Sequence, residues 1–225
     1  MKLEEFKIPV EEHEEGLSAR WFLPENPIAQ VLMTHGAGAP MQHSFMSTSA
    51  QLLADRGLAV LQYNFVYMEL GTGRPDVQKK TVSTIVQAIK FQKNLSDLPL
   101  FIGGKSYGGR MCSWAITENP SAPVKGLIYW GFPLHAPGKP SSDRATHLEK
   151  IQIPQLFLQG SRDKLADLDL LKPVIVNTKQ GELFLIDEGD HSFKVPKRSG
   201  KTNDEVLVHL ADKVRDWVNL VVTSV

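Results

Sequence analysis

Six short apolar runs recur along the chain: residues 30–34 (QVLMT), 58–63 (LAVLQY), 98–102 (LPLFI), 124–130 (VKGLIYW), 154–158 (PQLFL) and 182–186 (ELFLI). They are continuous rather than alternating, as a strand covered on both faces requires. Residues 6–9 and 20–23 alternate better and predict an antiparallel hairpin at the edge of the same sheet. Between the runs the period changes to 3.6. Val82, Ile85, Val86 and Ile89 define one helix face, and Leu207, Leu210, Val214, Trp217, Val218 and Val221 define another on the last helix. Helix signals also cover residues 44–56, ending at Gly57, and 106–118, ending before Asn119 and Pro120. Strand–helix alternation predicts an α/β fold: a mostly parallel, eight-stranded sheet with helices on both faces. No internal repeat or low-complexity tract interrupts it, so residues 1–225 read as one domain. Residues 131–151, with Pro133, Pro137, Gly138 and Pro140, have room for a turn and one short helix but not for a large cap.

Composition narrows the function classes. Lys plus Arg and Asp plus Glu both number 25, so the chain is formally neutral and lacks the basic footprint of a nucleic-acid binder. With 42% apolar and 22% charged residues, disorder is not expected. The single cysteine, Cys112, has no partner for an intramolecular disulfide or a Cys-based zinc site, and reads as an inert buried thiol. The start, MKLEE, lacks the apolar run of a signal peptide, and no stretch approaches the ~18 apolar residues of a membrane span. The expectation is a cytoplasmic protein.

The chemistry is concentrated in Gly104-Lys105-Ser106-Tyr107-Gly108, which follows the LPLFI strand and opens a helix. This is a Gly-x-Ser-x-Gly nucleophile elbow in its proper strand–turn–helix context. The turn is so tight that the positions two before and two after the serine must be small. The alternative reading, a phosphate-binding P-loop ending in Gly-Lys-Ser, fails because Pro99 stands where its first glycine belongs. A serine needs a base, and the base an orienting acid. Asp163 follows the PQLFL strand and His191 follows the ELFLI strand, giving the order Ser, Asp, His. Asp190 reads as a turn residue, and Asp167 and Asp169 as the solvated face of a helix starting near Lys164. The small-residue loop Thr34-His35-Gly36-Ala37-Gly38-Ala39 suits an oxyanion hole. Its donors are assigned to the N–H of Ala37, preferred over Gly36 or Gly38, and that of Tyr107. His35 is expected to support this loop, and His135 to border the site. Lys105 adjoins the nucleophile, where it reads as a solvated or ion-paired lysine, with an acidic substrate as the rival partner. His13, His147 and His209 read as surface residues.

The whole chain resembles a small α/β-hydrolase without a cap domain, of the dienelactone-hydrolase-like kind. More narrowly, THGAG (34–38), YNFVYMELGTGRPD (63–76), GGKSYGGR (103–110) and GDHSFKVPK (189–197) resemble one branch of it. That branch holds bacterial predicted hydrolases and proteins similar to testis-expressed protein thirty and to subunit three of the NSL histone-acetylation complex. Val66 departs from it, standing where the branch has proline. The resemblance implies the triad Ser106, Asp163 and His191, and no defined substrate. The residues themselves point to a serine hydrolase cleaving an ester, thioester or related acyl bond of a small molecule, with no metal or organic cofactor. Two other readings use the same fold: a non-catalytic protein-interaction module, and an acyltransferase or haloperoxidase-like enzyme. Pocket walls are expected from residues 63–74, 131–151 and 193–201. Without a lid, the site should be open and favour short acyl groups.

Overall fold

A computed structural model describes residues 1–224. The strands are β1 (Lys2–Val10), β2 (His13–Leu23), β3 (Ala29–Thr34), β4 (Leu58–Tyr63), β5 (Leu100–Lys105), β6 (Gly126–Trp130), β7 (Gln155–Gly160) and β8 (Gly181–Ile186). They form one eight-stranded sheet in the order β1-β2-β4-β3-β5-β6-β7-β8. β1 and β2 form the antiparallel edge hairpin, β2 pairs antiparallel with β4, and all later pairings are parallel.

The continuous apolar runs are explained by two cores, one on each face. Within β6, Leu127 and Tyr129 point to one core and Ile128 and Trp130 to the other; β7 divides Phe157 from Leu156 and Leu158 in the same way. Helices α3 (Gln78–Leu95), α4 (Tyr107–Glu118) and α5 (Leu168–Asn177) cover the first core, burying Ile85, Met111 and Leu171. Helices α1 (Ser44–Ala54) and α6 (Asn203–Thr223) cover the second with Ala50, Leu53, Val214 and Val218. A one-turn helix, α2 (Val66–Glu69), follows β4. Parallel strands 3 to 8 all end at one edge of the sheet, so the loops after β3, β5, β7 and β8 gather there.

Four features differ from the sequence reading. The edge hairpin is much longer, pairing Lys2 with Leu23 at its open end. β5 runs on through Gly103, Gly104 and Lys105, because those residues still pair with β3 and β6, and pairing outweighs glycine's low strand preference. The helix expected near Lys164 begins at Leu168 instead. Its cap is Asp167, whose carboxylate accepts the Asp169 N–H at 2.9 Å, so Asp167 is not on a solvated helix face. His147 is buried rather than on the surface. Its ring stacks on Trp114 at 3.9 Å and its Nε2 lies 2.7 Å from Ser113 Oγ. Burial, with the charges of Arg110 and Lys150, lowers its pKa to about 4. Residues 131–151 carry two single 3-10 turns, Asp143–Ala145 and Leu148–Lys150, and build no cap.

Candidate active site

Ser106 sits between β5 and α4 with φ 50° and ψ −113°, a positive φ that a non-glycine residue adopts only under constraint. Two features hold it there. The Ser106 N–H donates to the Trp130 carbonyl at 3.0 Å, and α4 starts at the next residue. A Cβ at Gly104 or at Gly108 would collide with the side chain and backbone of Thr34, so β5 and α4 can close on β3 only with glycine at both positions. The serine hydroxyl is thereby lifted off the end of the sheet.

The structure brings the three residues of the Ser–Asp–His reading together. His191 Nε2 lies 2.8 Å from Ser106 Oγ, and His191 Nδ1 lies 2.7 Å from Asp163 Oδ2. The Asp163 side chain is fully buried, whereas a quarter of the His191 side chain is exposed. The carboxylate also accepts the Leu165 N–H at 2.8 Å on Oδ1 and the Gln159 amide N–H at 2.5 Å on Oδ2. An ionised carboxylate only accepts, so His191 Nδ1 carries the ring proton and Nε2 is left as an acceptor for the serine hydroxyl. Gln159, at the end of β7, was not singled out from sequence. Its other side-chain atom, Oε1, accepts the Phe132 N–H at 3.0 Å, so its amide is locked and aims Nε2 at Asp163. Asp190 lies in the turn that carries His191, accepting the N–H groups of Ser192 and Lys194 at 2.8 and 2.9 Å.

Lys105 is half-buried at the wall of the site and is not ion-paired. Its ammonium donates to the His191 carbonyl at 2.5 Å and faces the rings of Phe45 and Phe193, 5.8 and 5.4 Å from their centroids. Among the described residues no carboxylate lies within 4.0 Å of it. Its side chain also lines the cavity beside Ser106. Burial lowers its pKa to about 8, against the opposing pull of Asp163 and Asp190. Gly131, with φ 72°, makes the room: a methyl there would stand 3.0 Å from Lys105 Nζ and 3.4 Å from His191 Nδ1.

His35 is fully buried and holds the loop after β3. Its Nε2 accepts the Phe65 N–H at 3.0 Å, which leaves the proton on Nδ1, 2.7 Å from the Gly36 carbonyl. Burial lowers its pKa to about 4, the Gly36 bond opposing, so it is neutral near pH 7. His135 does not border the site. Its Nε2 accepts the Asp167 N–H at 3.0 Å, tying residues 131–151 to the start of α5. Cys112 is buried, and desolvation raises its thiol to about 12. Among the described residues no group of three His, Cys, Asp or Glu side chains could hold a metal ion.

A cavity of about 580 Å³ opens beside Ser106, between the starts of α1 and α6. Gly36, Ala37 and Gly38 line one side, and Phe45, Met46, Phe193 and Leu207 give it apolar walls. Of the walls expected from sequence, only Phe193 and Lys194 contribute; residues 63–74 and 131–151 do not.

Sheet order, serine elbow and the loops after β7 and β8 together define an α/β-hydrolase fold without a large cap. A family model described as an alpha/beta hydrolase domain matches residues 27–219, and the chain belongs to that family. Solved structures share the fold at low sequence identity. Est1E from Butyrivibrio proteoclasticus, with ferulic acid bound, superposes with a TM-score of 0.76 at 15% identity, over 97% of this chain and 99% of that one. A dienelactone hydrolase from Anabaena variabilis gives 0.75 at 20% identity, over 96% and 97% of the two chains. An α/β serine hydrolase without a lid from Xanthomonas campestris gives 0.69 at 19% identity, over 96% and 94%.

Proposed function

We propose that this protein is a serine hydrolase that cleaves an ester, thioester or related acyl bond of a small molecule through an acyl-enzyme. The observation that carries the reading is the unbroken hydrogen-bonded line from Asp163 through His191 to Ser106. Ser106 Oγ attacks the carbonyl carbon while His191 Nε2 takes its proton. Asp163 holds the imidazole in the tautomer that can do this and stabilises the imidazolium. The tetrahedral oxyanion forms against the N–H groups of Ala37 and Tyr107, collapses as the C–O or C–S bond breaks, and His191 returns its proton to the leaving group. Water, deprotonated by His191, then attacks the acyl-serine and releases the acid. General-base action of this kind contributes about 10²–10⁴-fold, and one oxyanion donor about 10²–10³-fold. These side chains complete the cycle with no cofactor.

The family assignment supports hydrolysis in general; the short strings around Ser106, His191 and residues 63–76 support placing the chain in the branch with testis-expressed protein thirty. No helix among the described residues is long and apolar enough to cross a membrane, which accords with a cytoplasmic site of action. A fluorophosphonate probe tests the reading. The parent protein should be labelled at Ser106 and Ser106→Ala should not, with both folded. No labelling of the parent, or equal labelling of the two, refutes it.

A further inference from the structure

The segment YNFVYMELGTGRPD does not line the cavity, yet it wraps the loop that does. Asn64 Oδ1 accepts the Met41 N–H at 3.0 Å, and the Phe65 N–H reaches His35. The hydroxyl of Tyr67 lies 3.1 Å from the Gly36 carbonyl and 3.0 Å from the Ala37 carbonyl. Its side chain is 1% exposed, and burial pushes its pKa far up, so the hydroxyl stays a donor.

Peptide planarity turns these contacts into a statement about the cavity. In a trans peptide the C=O of one residue and the N–H of the next point in opposite directions, and among the described residues no peptide bond is cis. The Gly36 carbonyl is drawn into the protein by Tyr67 and by His35 Nδ1, so the Ala37 N–H points away from them. The Ala37 carbonyl is drawn inward by Tyr67, so the Gly38 N–H does the same. Both residues line the cavity beside Ser106. Tyr67 also reaches the other donor. Its ring meets that of Tyr107 edge-on at 6.4 Å, and Asp76 ties the pair by accepting the Tyr67 N–H at 2.9 Å and the Tyr107 hydroxyl at 3.2 Å.

We propose that Tyr67 is the positioning residue of the oxyanion hole: its hydroxyl shares its one proton between the Gly36 and Ala37 carbonyls and holds both inward, so that the Ala37 N–H, partner to that of Tyr107, and the Gly38 N–H beside it face the reacting carbonyl oxygen. This rests on the serine-hydrolase reading. Losing the hydroxyl leaves two carbonyls free to swing and loosens donors that matter only once the oxyanion forms, so the loss falls on kcat.

The test compares Tyr67→Phe with the parent, using p-nitrophenyl acetate turnover and inhibition by phenylboronic acid, which binds a serine as a tetrahedral anion. The expected result is a fall in kcat and a rise in the boronate inhibition constant, each by about 10- to 100-fold, with KM held within about twofold. Thr81→Val is the control. It breaks the 2.9 Å Thr81–Tyr107 hydroxyl contact in the same cluster without touching the loop carbonyls, and should lower stability while sparing kcat. Unchanged kcat and boronate binding in Tyr67→Phe, a change confined to KM, or an equal kcat loss in Thr81→Val overturns the proposal and leaves the hydrolase reading standing. A parent that neither turns over ester nor reacts with a fluorophosphonate overturns both. If Tyr67→Phe is not recovered folded, Tyr67→Leu decides by the same two ratios.

Discussion

Replacing Lys105 by methionine removes a buried charge while keeping most of its volume. The ammonium is depressed from 10.5 to about 8 by burial, even though Asp163 and Asp190 pull the other way. In the unfolded chain the same group keeps its ordinary value. Between pH 8 and 10.5, then, the unfolded state binds a proton that the folded state has released, and stability rises with pH across that window. Below pH 8 both states are protonated and the full cost of burying the charge is present. At about 1.4 kcal/mol per pH decade, the gap corresponds to up to about 3 kcal/mol. That figure is a net one, in which whatever favours the charged form has already been set against desolvation. The assay is urea unfolding of both proteins at several pH values from 7 to 10.5, read as the difference between them. Parent stability should climb relative to Lys105→Met by up to about 3 kcal/mol, nearly all of it above pH 8. Parallel curves across the range would show that the ammonium is not buried as described.

Asp163→Asn should lower kcat for an ester by about three to four orders of magnitude at neutral pH, because the amide favours the wrong histidine tautomer; Asp190→Asn keeps its Oδ1 acceptor and should change kcat little, and a reversed ranking would reassign the acid. His35, ordinarily near 6.5, is held neutral down to about 4. The unfolded chain takes up that proton first, so stability should fall by up to about 3 kcal/mol as pH drops from 6.5 to 4, and His35→Gln should remove that part of the slope in urea curves. Across p-nitrophenyl esters from acetate to dodecanoate, kcat/KM should rise by about fourfold per methylene only while the cavity still has apolar wall to cover, at about 0.8 kcal/mol per CH₂, and then level off. An unbroken rise to dodecanoate would mean more apolar wall than Phe45, Met46, Phe193 and Leu207 supply.

The sheet was legible because each central strand must be apolar on both faces, which leaves a signature no amphipathic helix shares. The elbow was legible for a steric reason, since Gly104 and Gly108 are the only residues that fit against Thr34. Chain order placed Asp163 and His191 after the correct strands, and parallel topology carries those strand ends to the same edge. What stayed hidden depends on contacts between distant segments. Asp163 and Asp167 each accept the N–H two residues on, so local sequence does not choose between them, and the helix after β7 begins behind Asp167. Gln159 ends an apolar run, which was a visible oddity, but its purpose needs Phe132 beside it. A lysine defaults to solvent, and Lys105 is caged only because Phe45 and Phe193 converge on it. Tyr67 looked like one more apolar position on a pocket wall.

The placement of the cavity bears on how specificity is divided in this fold. Residues 131–151, which build no cap, pack Leu134, Ala145 and Leu148 into the core beneath α3, α4 and α5. The cavity belongs to the other face, where Met46 and Phe193 join the core beneath α1 and α6, with Phe45 and Leu207 packed against it. Residues 131–151 therefore supply none of the wall of that cavity. That wall is itself divided. Phe45 and Phe193 stack at 6.0 Å and cage the ammonium that holds the His191 carbonyl, so their packing is part of what holds His191. Phe193 also has a positive φ of 61°, in the turn that Asp190 closes. Changing either ring alters the cavity wall and the surroundings of the Lys105–His191 contact together. Leu207, on α6, lines the same cavity without touching that turn's hydrogen bonds, and so does Met46 at the start of α1. Variation in acyl preference can be accommodated at Leu207 and Met46, where packing changes leave the proton relay alone.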